Sequence, residues 1–61
     1  MTVEQAMLRV GTDLYFEVVD YGEIIEEGKY DEVCETMDLD VERVEIVNIN
    51  GLGLIVCRIY I

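Results

Sequence analysis

Hydrophobic residues recur along this chain at two different spacings, and the switches between them mark its elements. Val3, Ala6, Met7 and Val10 fall at helical spacing. Thr2-Val3-Glu4-Gln5 has the form of a capping box, in which the Thr2 hydroxyl and the Gln5 amide satisfy backbone N–H groups. Gly11 stands where a C-cap glycine would. A helix of only about eight residues is marginal by itself, so this one must dock on the rest of the chain. From residue 14 to 19 the sequence turns β-branched and aromatic, with Leu14, Phe16 and Val18 on one face. Asp20-Tyr21-Gly22 suits a three-residue hairpin loop, a type I turn with Gly22 in the left-handed position. Residues 23–27 then return as a second strand that sets Ile24 opposite Val18, and Gly28 closes it.

At Tyr30 the period changes. Tyr30, Val33, Cys34 and Met37 recur at i, i+3, i+4 and i+7, which predicts a second helix over residues 30–37 with Asp31, Glu32, Glu35 and Asp38 on its outer side. Leu39 is expected to seal that helix against the core. Residues 44–49 and 52–61 then flank Asn50-Gly51, a strong short hairpin signal. A type I′ turn at those two residues would place Ile46 opposite Ile55 and Val44 opposite Cys57 on one face. On the other face it would place Val47 opposite Leu54 and Glu45 opposite Val56. Both faces are apolar near the turn, and the second becomes charged further away through Arg43, Glu45 and Arg58. A hairpin with one wet face should alternate polar and apolar residues. The second face is therefore expected to be covered, by the N-terminal helix or by another subunit.

These elements predict one α+β domain over residues 1–61 in the order helix, hairpin, helix, hairpin. The expected sheet is small, four-stranded and mainly antiparallel, with one or two short helices and the 30–37 helix on one face.

Composition alters the picture through charge. The chain carries 14 acids against four Lys and Arg, for a formal net charge of −10. All but one of the acids lie between Asp13 and Glu45, where only Lys29 and Arg43 oppose them. Such a one-sided field costs stability through self-repulsion. Hydrophobic residues make up 52% of the chain, which excludes an unfolded acidic tail. A chain of this size buries only about 60% of its unfolded surface, so reinforcement, such as self-association, is expected. The two cysteines, Cys34 and Cys57, fit no metal-ligand spacing, and with no His a metal site lacks ligands. A Cys34–Cys57 bridge is conceivable on count, but two buried thiols in a reducing cytosol are expected. No basic segment precedes an apolar one at the start, and no apolar run approaches the length of a membrane span. The expected location is cytoplasmic.

Candidate chemistry is thin. Without His or Ser, nucleophilic and His-based acid–base catalysis lack their parts, so no enzyme, no cofactor and no metal are expected. Asp38, Asp40 and Glu42 begin a calcium-loop pattern without its glycine or distant glutamate, and read as an acidic corner. Gly51-Leu52-Gly53 lacks the βα context of a phosphate-binding loop. The stretch from Tyr30 to Val44 could pass for a helix-turn-helix, yet Asp40, Glu42 and the surrounding acids would repel phosphates. Direct nucleic-acid binding is excluded on that ground. What stays is the acidic surface: Asp20, Glu23, Glu26 and Glu27 on the first hairpin, with Asp31, Glu32, Glu35 and Asp38 after it. Carboxylates so arrayed on folded elements can face a basic groove as phosphates do.

The segment running from Tyr15-Phe16-Glu17-Val18-Val19 through Asp20-Tyr21-Gly22 to Glu26-Glu27-Gly28, then Tyr30-Asp31-Glu32-Val33 and Met37-Asp38-Leu39, resembles a pattern of very small phage-encoded accessory proteins. In them a strand, a D/N-x-G turn, a second strand ending in glycine and a short helix follow one another. Lys29 stands where those proteins have a Ser or Thr cap, and the C-terminal part is a hairpin instead of a second helix. The small, acidic, single-domain profile is also similar to that of phage anti-defence proteins, including anti-CRISPR inhibitors that occupy the nucleic-acid groove of a nuclease. The resemblance implies a DNA-mimic role against a basic nucleic-acid-binding protein such as a host defence nuclease. An alternative expectation is a homodimer that forms through the apolar C-terminal hairpin (Val47, Ile49, Leu52, Leu54 and Val56), with the acids serving only solubility.

Overall fold

The computed structural model describes residues 1–49 and 53–61. One helix, α1 (Val3–Val10), precedes strands β1 (Tyr15–Asp20), β2 (Glu23–Gly28), β3 (Arg43–Ile49) and β4 (Leu54–Tyr60). The strands form one sheet in the order β2-β1-β4-β3. Each hairpin is antiparallel, but β1 and β4 meet in parallel at the centre, from Tyr15 opposite Val56 to Val19 opposite Tyr60. The architecture is α+β as expected, with a mixed sheet and a single helix.

Helix α1 holds by the predicted capping box. The Gln5 N–H donates to Thr2 Oγ1 and the Thr2 N–H to Gln5 Oε1. Its two other free N–H groups are met by the chain ahead of β3: Val3 donates to the Leu39 carbonyl at 2.9 Å and Glu4 to the Met37 carbonyl at 3.2 Å. These bonds offset the weakness of so short a helix. Val3, Ala6 and Met7 then close over Phe16 and Val18 of β1 and Cys57 and Ile59 of β4, which together with Val33 make the core.

The second helix does not form. Residues 29–42 make isolated turns, one closed by the Glu32 and Val33 N–H groups on the Lys29 carbonyl and another by Leu39 on Thr36. Part of the predicted stripe does turn inward: Val33 is buried, and Tyr30 and Met37 pack against the core. Cys34 and Leu39 are exposed, however, and Val41 takes the packing place expected of Leu39. The competitor that defeats the helix is the Glu26 carboxylate, which takes the N–H groups of Cys34, Glu35 and Thr36.

Both hairpin registers differ from expectation. Asp20 pairs with Glu23 across a two-residue turn in which Tyr21 (φ 52) and Gly22 (φ 79) are both left-handed, the type I′ requirement. Val19 therefore faces Ile24, and a bulge then sets Val18 opposite Glu26. In the second hairpin Ile49 faces Leu54, Val47 faces Val56 and Ile46 faces Cys57, two residues beyond the expected register. The shift is even, so each residue keeps its predicted face. It also brings Glu45 opposite Arg58 and Arg43 opposite Tyr60, which the shorter loop would have separated. The Asn50-Gly51 turn itself lies outside the described residues.

Candidate acidic interface

The first hairpin and residues 29–38 form the flank of the sheet on the β2 side, and the eight predicted carboxylates fall there; residues 39–42 then pass the start of α1 to reach Tyr60 of β4. Asp20 and Glu23 stand opposite each other at the β1–β2 turn. Glu27 faces Glu17 across β1 and β2, on the side of the sheet away from α1. Asp31, Glu32, Glu35 and Asp38 are exposed on successive turns. They do not share the helical stripe expected of them. Asp40 and Glu42 extend the exposed acids toward β3.

Two of the eight have work inside the fold. Glu26 is half-buried, turned by the bulge onto the core side of β2. Its Oε1 accepts the Thr36 hydroxyl at 2.8 Å and the Thr36 N–H at 3.0 Å, and its Oε2 accepts the Cys34 N–H at 2.9 Å. Burial alone would raise its pKa, but these bonds, with the one from the Glu35 N–H, outweigh it and bring the value down to about 2. Thr36 is thereby satisfied although buried. Glu32 accepts the Lys29 N–H at 2.8 Å, the half of a capping box that an acid three residues on supplies, and its Cβ lies against Gly28. Glu26 therefore leaves the set of carboxylates that a partner could reach freely.

None of the rest forms an ion pair among the described residues, although the exposed Lys29 lies within the flank. Among the described residues the ion pairs are Arg58–Glu17 at 2.8 Å and Arg43–Glu45 at 3.3 Å, both on the open face of the sheet. There Glu27, Glu17, Arg58 and Glu45 form a row across all four strands. Arg43 stacks over the Tyr60 ring at 3.8 Å, and Tyr60 donates its hydroxyl to Glu45. Arg43 and Arg58 are thus paired on the open face. The field of the acidic flank is felt by Tyr15, whose hydroxyl is pushed up by partial burial and then by Glu27, Glu17 and Glu32.

Tyr21 was not among the candidates, yet it is 99% exposed at the tip between Asp20 and Glu23. A left-handed backbone is uncommon for a residue of this size, and exposed tyrosines are frequent anchors at interfaces. The signal was present in the sequence, since a two-residue turn ahead of Gly22 forces its neighbour to the same hand.

The candidate self-association residues are less uniform than expected. Val47 is half-buried, Leu54 exposed and Val56 buried; Ile49 pairs with Leu54 in the sheet, and Leu52 lies outside the described residues. A groove of about 500 Å³ opens on Leu14, Tyr15, Leu54 and Val56, with Asp13 and Lys29 at its rim. Both cysteines are free: burial raises the pKa of Cys57, whereas Cys34, expected to be buried, is exposed. No helix of the described residues is long and apolar enough to cross a membrane. Compared with protein-family models, curated proteins and solved structures, the chain matches none.

Proposed function

We propose that this chain is a small interaction protein that binds the basic, nucleic-acid-binding groove of a protein partner by nucleic-acid mimicry. It acts as phage anti-defence inhibitors do, anti-CRISPR proteins among them, in the cytoplasm of a bacterial host. It works without catalysis, cofactor or metal and does not itself touch nucleic acid. The observation that carries this reading is the separation of charge. Glu23, Glu27, Asp31, Glu32, Glu35 and Asp38 are exposed on one flank, and the two ion pairs lie elsewhere. A purely solubilising surface mixes both signs, whereas a single-sign field steers a partner of opposite charge.

The test is capture from a bacterial lysate with wild-type chain and with the triple variant Asp31→Lys, Glu35→Lys and Asp38→Lys. That variant spares Glu26 and Glu32, whose bonds hold the fold. Wild type should capture nucleic-acid-binding proteins at about 50 mM salt and release them at about 300 mM, where screening is short-ranged. Excess duplex DNA should release them as well, and the folded variant should capture none. A partner retained through the charge reversal, the added salt and the added DNA overturns the proposal.

A further inference from the structure

The two edges of the sheet are built differently. The β2 edge is broken by the bulge, carries Glu23, Glu26 and Glu27, and ends at Gly28. Those are standard ways of blunting an edge against further pairing. Strand β3 has no bulge and no glycine, and its two charges are of opposite sign. Its seven residues pair with β4 without interruption, and its outer side meets no strand among the described residues. Arg43 and Glu45 cancel each other, so the strand is neutral in a chain of −10. Ile46 points to the helix side of the sheet yet is 55% exposed, and Ile55 beside it is 49% exposed.

We propose that a second copy of this chain docks along the outer edge of β3, antiparallel and centred on Ile46, and so continues the sheet across a two-fold axis. Three observations select this occupant. A free neutral edge satisfies its own backbone groups when it meets itself. In this register β3 overlaps over its full length, Ile46 meets Ile46 of the second copy, and Glu45 lies opposite Val47. A register centred on Glu45 would oppose two carboxylates and is disfavoured. Charge favours this side as well: Glu23, Glu27, Asp31, Glu32 and Glu35 lie away from β3, so joining at β3 holds these two acidic groups toward opposite ends of the doubled sheet. At the usual strand spacing of about 4.8 Å, the two β2 edges then stand about 34 Å apart. Packing through the open face is the weaker solution, because it would bury the Glu17–Arg58 and Arg43–Glu45 pairs. The proposal is independent of what the acidic flank binds.

The test is mass in solution by sedimentation equilibrium, at about 50 and about 300 mM salt, a range over which charge interactions are screened. Wild type should show twice the 7.0 kDa chain mass at both. Ile46→Lys should be a folded monomer, as should Ile46→Glu, and mixing the two should restore the dimer. Leu8→Lys, at an equally exposed position on α1, should stay dimeric. Amide exchange on wild type provides a readout without substitution: raising the concentration should slow exchange in β3 and leave β2 unchanged. A wild-type monomer at all concentrations, a dimeric Ile46→Lys, a monomeric Leu8→Lys, or protection gained in β2 instead of β3 each overturns the proposal.

Discussion

Single residues decide the conformation of the acidic flank, and Glu26 decides most. One carboxylate takes three backbone N–H groups and a buried hydroxyl. Replacing it by Gln leaves one acceptor oxygen and turns an NH2 group toward donors. Hydrogen bonds to a charged acceptor are worth about 1.5–3 kcal/mol, so Glu26→Gln should lower unfolding free energy by about 2 kcal/mol. The sign with pH follows from the depressed pKa. The contribution is fully present above 4.5, the unfolded value, and is lost as pH falls through about 2, the folded one. In urea unfolding, the gap between wild type and Glu26→Gln should narrow between those two values; a gap that stays constant would show that the carboxylate's charge does not hold the loop. Tyr21 works in the other direction. Its left-handed backbone costs about 1 kcal/mol that Asn, which tolerates that region, does not incur. Tyr21→Asn should therefore raise stability by about that amount, read as a higher denaturation midpoint, while weakening partner capture. An unchanged or lowered midpoint would place the Tyr21 ring in contacts that the structure does not contain.

At the level of elements, local patterns were legible and their competitors were not. Helix α1 was readable because its cap, stripe and terminal glycine are all local. Strands were readable because β-branched runs alternate between turns. The 30–37 helix failed because its rival, Glu26, lies eight to ten residues away and faces the loop only through a bulge. Periodicity cannot see such a group. The central parallel pairing was equally hidden, since hairpin signals specify which strands are joined by turns but not which hairpins meet side by side. In retrospect β4 carries a hint: Leu54-Ile55-Val56-Cys57 is apolar on both faces, as a central strand is. The acids follow the same rule: four lie on the first hairpin as its strands dictate, whereas the spacing expected of the other four depended on the missing helix. Gly28 now joins the two levels. Its φ is 140, and a Cβ there would stand 2.9 Å from the Glu32 Cβ, so it permits residues 29–32 to turn back over β2. Gly28→Ala should cost about 1–3 kcal/mol through strained backbone and the displaced Glu32 cap. Differential scanning calorimetry would register this as a lower melting temperature, and an unshifted value would mean that the turn relaxes freely.

For the whole molecule, the question is whether charge supports the fold or strains it. Two opposing effects respond to salt. Screening weakens the two ion pairs, each exposed enough on its arginine side to be worth no more than about 1 kcal/mol. It also weakens repulsion among the window's other acids, of which Glu26 alone has its charge met mainly by the fold. Like charges confined to one flank of a 33 × 23 × 17 Å body lie within about one or two Debye lengths of each other at physiological salt. Repulsion is therefore the larger effect, and melting temperature should rise from about 10 to about 300 mM sodium chloride, as screening shortens from roughly 30 Å to below 8 Å. Removing charge should act as salt does. Asp31→Asn with Glu35→Gln should melt above wild type at low salt and converge with it at high salt, because neither side chain makes a hydrogen bond or ion pair within the described residues. The same double variant should lose affinity for a basic partner, as carboxylates that weaken the fold are the ones that a partner can use. A melting temperature that falls with salt would show instead that the ion pairs of the open face dominate, and the acidic flank would then need no partner to account for it.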